Sequence, residues 1–128
     1  MSDSALIELA RSLAGEFELS RHSFTAGAVG AALRTAGGTI YSGICVELAC
    51  GIGFCAEHSA IAEMLKARET VIHSIVATRE SGIVAPCGRC REMMYQVDHR
   101  NADTRIILAD RVVALKELLP EYWKSENS

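Results

Sequence analysis

Apolar positions near the start of the chain recur at helical spacing. Leu6, Leu9, Ala10, Leu13 and Phe17 share one face, which predicts an amphipathic helix over about residues 4–18. Two strand-like stretches follow at 28–34 and 39–47, and Gly37-Gly38 between them predicts a hairpin. A helix beginning near Cys55 carries Ile61, Met64 and Leu65 and ends before a strand at 71–78. That strand is almost wholly apolar (Val71, Ile72, Ile75, Val76, Ala77), the pattern of a strand covered on both faces. A helix over about 87–97 and a strand at 105–109 then complete a strand–helix–strand unit, which predicts a right-handed parallel crossover. A short strand near 112–114 and a helix over 115–119 close the pattern. The expected architecture is an α/β layered fold, a mixed sheet of about five strands flanked by helices, in one domain spanning residues 1–128.

Composition narrows the classes of function. Hydrophobic residues make up 49% and charged residues 23%, as in an ordinary soluble globular protein. The net charge of −3 argues against a nucleic-acid backbone as the main partner, because phosphate binding needs surplus Lys and Arg. No apolar run is long enough to span a membrane, and Met1-Ser2-Asp3-Ser4 lacks the basic-then-apolar form of a signal peptide. The expected setting is therefore cytoplasmic, with no membrane partner and with thiols kept reduced. There the five cysteines, an odd number, point to metal binding or catalysis more than to disulfides.

Three of those cysteines sit where two predicted helices begin. Cys55 opens one, and Cys87 and Cys90 open the other within Pro86-Cys87-Gly88-Arg89-Cys90. Residues three apart share a helix face, so Cys87 and Cys90 can clasp one ion. A helix N-terminus favours the thiolate, and Pro86 fits just ahead of such a start. Three thiolates with a fourth position open suit a catalytic zinc. Glu57, at spacings of four, seven and eight from Ile61, Met64 and Leu65, projects from the middle of the apolar stripe. A carboxylate is costly there unless it is paired or takes part in chemistry, and beside an activated water it can carry protons. Spacing also permits a closed set, Cys55-x-x-His58 with Cys87-x-x-Cys90, which would make a zinc-stabilised interaction module instead of an enzyme. His58 falls at the edge of the stripe, however, and a structural site leaves Glu57 unexplained.

The run Cys55-Ala56-Glu57, followed about thirty residues later by Pro86-Cys87-Gly88-Arg89-Cys90, resembles the zinc site of the cytidine deaminase family. The likeness extends through Val29-Gly30-Ala31-Ala32-Leu33, the hairpin, Glu47-Leu48-Ala49-Cys50 and Lys116-Glu117-Leu118-Leu119-Pro120. The stretch Gly82-Ile83-Val84-Ala85-Pro86 through Arg91, with Tyr122-Trp123, looks closest to the branch that includes blasticidin-S deaminases. The resemblance implies that Cys55, Cys87 and Cys90 hold Zn2+ and that Glu57 shuttles protons while hydroxide adds to C4 of a 4-aminopyrimidine and ammonia leaves. The substrate is then a small nucleoside or nucleoside-like compound. The backbone N–H of Ala56 holds the base, and Glu47 binds a ribose hydroxyl, with Cys45 on the same side of its strand. A homo-oligomer, a tetramer in many relatives, is likewise implied.

Three positions depart from the family pattern. Cys45 stands where Asn usually binds sugar hydroxyls, Gly27 lies near the place of an aromatic residue, and His58 follows the glutamate where many members carry Arg. These departures make blasticidin S, or a cytidine with a modified amine or sugar, the alternative substrate. Elsewhere the expectations are plain: Cys50 as a packing residue, His73 as a hydrogen-bonded core histidine, His22 and His99 in loops. Arg89 and Arg91 are expected as solvated charges, and Tyr122 and Trp123 as aromatic packing, with closure over an active site as the other role weighed for them.

Overall fold

In a computed structural model, which describes residues 2–124, the chain opens with helix α1, Asp3–Leu13. The Ser2 hydroxyl accepts from the N–H of Ala5 at 3.2 Å and caps it. The helix stops well short of residue 18. Gly15 N–H donates to the Gly27 carbonyl at 2.7 Å, and Phe17–Glu18 turns into a short strand, β1, leaving Phe17 51% exposed. The long hairpin follows as β2, Thr25–Thr35, and β3, Ile40–Glu47, turning through Gly38 at φ 91°. Next come β4, Gly53–Phe54, helix α2, Ala56–Lys66, β5, Ile72–Arg79, and β6, Gly82–Val84. Helix α3, Gly88–Val97, leads through a 3-10 turn at His99–Asp103 to β7, Arg105–Ile107, β8, Val112–Ala114, and a last turn of helix, α4, Leu115–Leu118.

The sheet runs β4-β3-β2-β5-β7-β8, with β1 added to β2 and β6 to β5. Only the β5–β7 pairing is parallel, across the α3 crossover; the sheet is mixed. It holds eight strands where the periodicity suggested about five. The additional ones are two or three residues long, too short to show a period of two.

Alternation along the central strands separates two layers. Ala32, Val76 and Ile107 face Leu6 and Ala10 of α1. Leu33, Ile75 and Ile106 face the other way, onto Ala60, Ile61 and Met64 of α2, Cys90 and Met94 of α3, and Leu115. This explains why β5 is apolar on both sides. Glycines set the closest approaches: a Cβ on Gly30 would strike the Ala10 carbonyl, and one on Gly43 would come within 2.5 Å of Ser59. Buried Asn101 fastens the far end of α3 to β5. Its Oδ1 accepts from Ile72 N–H at 2.8 Å, and its Nδ2 donates to the carbonyls of Met94 and Thr70 at 2.9 and 3.0 Å.

Candidate active site

Cys55 is the N-cap residue of α2 and Cys87 that of α3, both in extended backbone, and neither sulfur caps its own helix. Both are left free to converge with Cys90 in the first turn of α3. The Sγ atoms of Cys55 and Cys87 lie 3.6 Å apart, and those of Cys87 and Cys90 3.5 Å. A tetrahedral zinc with Zn–S bonds of about 2.3 Å holds its sulfurs about 3.8 Å apart. The two separations from Cys87 sit within a few tenths of an ångström of that spacing, and the Cys55 and Cys90 sulfurs lie within 4.8 Å of each other.

Electrostatics agrees with a cation there. Burial pushes the Cys90 thiol far up, reinforced by the Glu57 carboxylate and the neighbouring thiols. Cys55 is raised too, first by burial and then by Cys87. For Cys87 burial also pushes upward, but the backbone N–H of Cys90, the two neighbouring thiols and the N–H of Arg89 outweigh it, and the net shift is downward. Three adjacent thiols resist ionising together, and a divalent metal removes that penalty. The donor set fits zinc.

Glu57 lies in the first turn of α2, only 5% exposed. Desolvation raises its pKa, opposed by its own backbone N–H and by the Cys90 thiol. His58, one residue on, is placed differently. A ring nitrogen lies within 4.8 Å of the Cys55 and Cys90 sulfurs, so Cys55, His58 and Cys90 form a group that could hold a metal. Yet among the described residues Nε2 is buried without a hydrogen-bond partner, and the ring lines a separate depression with Gly88, Arg89 and Glu92.

Glu57, Ala56 and the three cysteines open onto a cavity of about 690 Å³, whose walls include Cys45, Glu47 and Val29. A β-bulge between Ala26 and Gly30 displaces β2 beside it, and Val29 N–H there donates to Cys45 Sγ at 3.3 Å. Cys45 is both core and cavity wall: it is 7% exposed and packs with Ala31, Ala56 and Ala77. Gly27 sits at φ 87°, where a Cβ would come 2.6 Å from the Gly15 carbonyl, so this backbone excludes an aromatic side chain. Glu47 is exposed at the end of β3, paired with Gly53.

Several expectations change. Cys50 does not pack: it is exposed, in a turn at φ 61°. His73 is not in the core but exposed, with Nδ1 3.0 Å from Arg34 Nη2 and 2.8 Å from the Ser74 hydroxyl. Arg89 is exposed, as expected of a solvated charge, and also lines the cavity. Arg91 is no solvated charge, since it donates to the carbonyls of Pro86 and Leu118. His99 belongs to the 3-10 turn and stacks on Tyr95 at 4.6 Å. Tyr122 packs on Tyr95 as well, while Trp123 is 64% exposed and its N–H donates to Glu92 at 2.6 Å. This segment lies along α3; among the described residues none beyond Cys90 lines the cavity. The hydrophobic rim of Leu48, Ile52 and Phe54 and the nearby Arg79 had no periodic signal, because they come from turns and strand ends. The glycines flanking Ile52 were the only local cue.

Residues 1–104 match the family described as the cytidine and deoxycytidylate deaminase zinc-binding region. A cytidine deaminase of Halalkalibacterium halodurans is 31% identical over 106 residues, which is 77% of this chain and 79% of that protein. The crystal structure of cytidine deaminase from Burkholderia pseudomallei is similar with a TM-score of 0.77 at 31% identity, covering 96% of this chain and 100% of that one. That of the Mycobacterium tuberculosis enzyme has a TM-score of 0.81 at 24% identity over 98% and 100% of the two chains, a likeness of fold.

Proposed function

Since the chain belongs to the zinc-binding cytidine and deoxycytidylate deaminase family and is a hydrolytic deaminase, we propose that it converts a 4-aminopyrimidine nucleoside, or a close analogue, to the uracil-type product and ammonia. Cys55, Cys87 and Cys90 are the proposed zinc ligands, acting in one domain over residues 1–128. The observation that carries the reading is Glu57: a carboxylate 5% exposed beside three converging thiols, opening onto a cavity. When bound, zinc supplies a Lewis acid that makes water a nucleophile near neutral pH. The Glu57 carboxylate would accept a proton from water in the cavity and return it to the departing amine, and burial, by raising its pKa, favours its holding that proton in between. Ala56, whose N–H lies at the free start of α2, holds the base, and Glu47 at the cavity mouth accepts from a sugar hydroxyl.

One observation favours an analogue with a modified sugar, of which blasticidin S is an example. Cys45 Sγ already accepts the Val29 N–H and is a weak partner for a hydroxyl. The setting is proposed as cytoplasmic, where the thiols stay reduced, and the molecule as a homo-oligomer. No described helix is long and apolar enough to cross a membrane.

Glu57→Gln tests the mechanism. Ammonia release should fall by about 10²–10⁴-fold, the usual contribution of a general acid–base group, while zinc content stays that of the parent. Undiminished turnover in this variant overturns the role of Glu57. Loss of ultraviolet absorbance across cytidine, deoxycytidine, cytosine and blasticidin S identifies the substrate.

A further inference from the structure

Of the three clustered cysteines, Cys87 has the least support from its surroundings. Cys90 is buried within the main core, and Cys55 packs against it. Cys87 is exposed, and its sulfur meets the other two sulfurs and the backbone N–H groups of Arg89 and Cys90 in place of core side chains. Its position therefore depends on the backbone around it. That backbone is held by one residue. Arg91 Nε donates to the Pro86 carbonyl at 2.8 Å, and the Arg91 backbone N–H donates to the Cys87 carbonyl at 3.0 Å. The peptide carbonyls on both sides of Cys87 thus end on the same residue. The second arm of the fork, Nη1, reaches the Leu118 carbonyl at 3.1 Å, at the end of α4.

We propose that Arg91 is a positioning residue for the Cys87 sulfur, joining the loop before α3 to the last helical turn so that Cys87 is held ready for the metal. Three features support this. Pro86 is buried, so its carbonyl loses a partner if the guanidinium is removed. The planar fork presents Nε and Nη1 as separate donors in a fixed geometry, one to each carbonyl, whereas the donors of a lysine all radiate from one nitrogen on a flexible stem. Finally, α3 is tied to the C-terminal segment twice more, through Glu92 to Trp123 and through Tyr95 to Tyr122, so Leu118 belongs to a well-anchored segment. The inference rests on the assignment of Cys87 as a ligand.

The test is transfer of zinc from the intact protein to a chromophoric chelator, together with the absorption of the Co(II)-substituted form. Groups that orient metal ligands typically contribute 10–100-fold in affinity. Arg91→Ala should therefore release zinc about tenfold faster or more and alter the sulfur-to-cobalt charge-transfer bands, with Arg91→Lys between it and the parent. Arg105→Ala, which breaks the remote ion pair with Asp3 at 2.8 Å, is the control for general destabilisation. Zinc release from Arg91→Ala no faster than from this control, with unchanged cobalt bands, overturns the proposal. So does a parental release rate in Arg91→Lys, should Arg91→Ala not fold. The ligand assignment fails separately: in that case Cys87→Ser would keep its zinc as tightly as the parent.

Discussion

Glu57 and His58 are neighbours in sequence with opposite surroundings, and that contrast separates an enzyme from a zinc-stabilised module. Glu57 is buried at the cavity wall, whereas His58 lines the depression beside Arg89. Burial lowers the His58 pKa, and the charge of Arg89 lowers it further, so the ring is neutral at pH 7. A neutral imidazole within 4.8 Å of two sulfurs has the chemistry of a ligand, so its distance alone does not dismiss that role. What weighs against it is Cys87, whose sulfur already closes the triangle with Cys55 and Cys90. His58→Ala should consequently keep its zinc through dialysis and retain deaminase activity within about tenfold, the lower end of the effect of groups around a metal site. Metal analysis after gel filtration checks this. Loss of the ion would make His58 the fourth ligand and leave no open position for water.

At the scale of elements, the sequence was most legible where period and end signals coincide. Both helix starts that carry the cysteines were visible, because Ile61, Met64 and Leu65 repeat at helical spacing and Pro86 marks the boundary. The position of Glu57 on the buried stripe was visible for the same reason, and its 5% exposure agrees. The first helix was read too long. Its apolar spacing continues to Phe17, but pairing of Phe17 with Ala26 competes with the helix and prevails. Cavity walls from β4 and the turns left no periodic signal beyond the glycines flanking Ile52, and the bonds of Arg91 were hidden because its partners are main-chain carbonyls that have no residue identity. Close packing between elements is also hidden in sequence until a glycine is seen against its neighbour. Gly43 lies under α2, where a Cβ would come within 2.5 Å of Ser59 and 2.7 Å of the Ala60 nitrogen. Gly43→Ala should therefore destabilise by about 1–3 kcal/mol, as overpacking does. It should also lower kcat, because α2 carries Glu57. Thermal unfolding and steady-state kinetics on one preparation test both effects; a stable, fully active variant would show that α2 can move off the sheet without consequence.

Across the whole molecule, charge links parts distant in sequence, and the links share one direction of pH dependence. Asp3, in the first turn of α1, is bonded by both arms of Arg105 in β7 at 2.9 and 2.8 Å, which holds its carboxyl below the usual range. Within the turn after α3, Arg100 likewise holds Asp98, two residues away, and depresses it further, while the distant Thr70 hydroxyl donates to it at 2.8 Å. A carboxyl whose pKa is depressed by folding adds stability above its unfolded value, near 3.9, and loses it as pH falls through the folded value. His73 acts higher on the scale. Partial desolvation of this otherwise exposed ring lowers its pKa below the usual 6.5, and the charges of Arg34 and Arg105 lower it further against the opposing pull of Asp3. Protonation is then easier in the unfolded chain, so below about pH 6.5 the equilibrium shifts toward unfolding. Protonation of Nδ1 would also forfeit the hydrogen bond from Arg34. Melting temperature should accordingly fall in two stages on acidification, one beginning below about pH 6.5 and one below about pH 4. His73→Gln, which cannot take up a proton, should remove the His73 share of the upper stage and leave that of His58, so its advantage over the parent grows between pH 7 and 5. Thermal unfolding followed by circular dichroism over pH 3–8 measures that difference. Parallel curves for the two proteins across the upper range would mean that His73 titrates alike in the folded and unfolded chain.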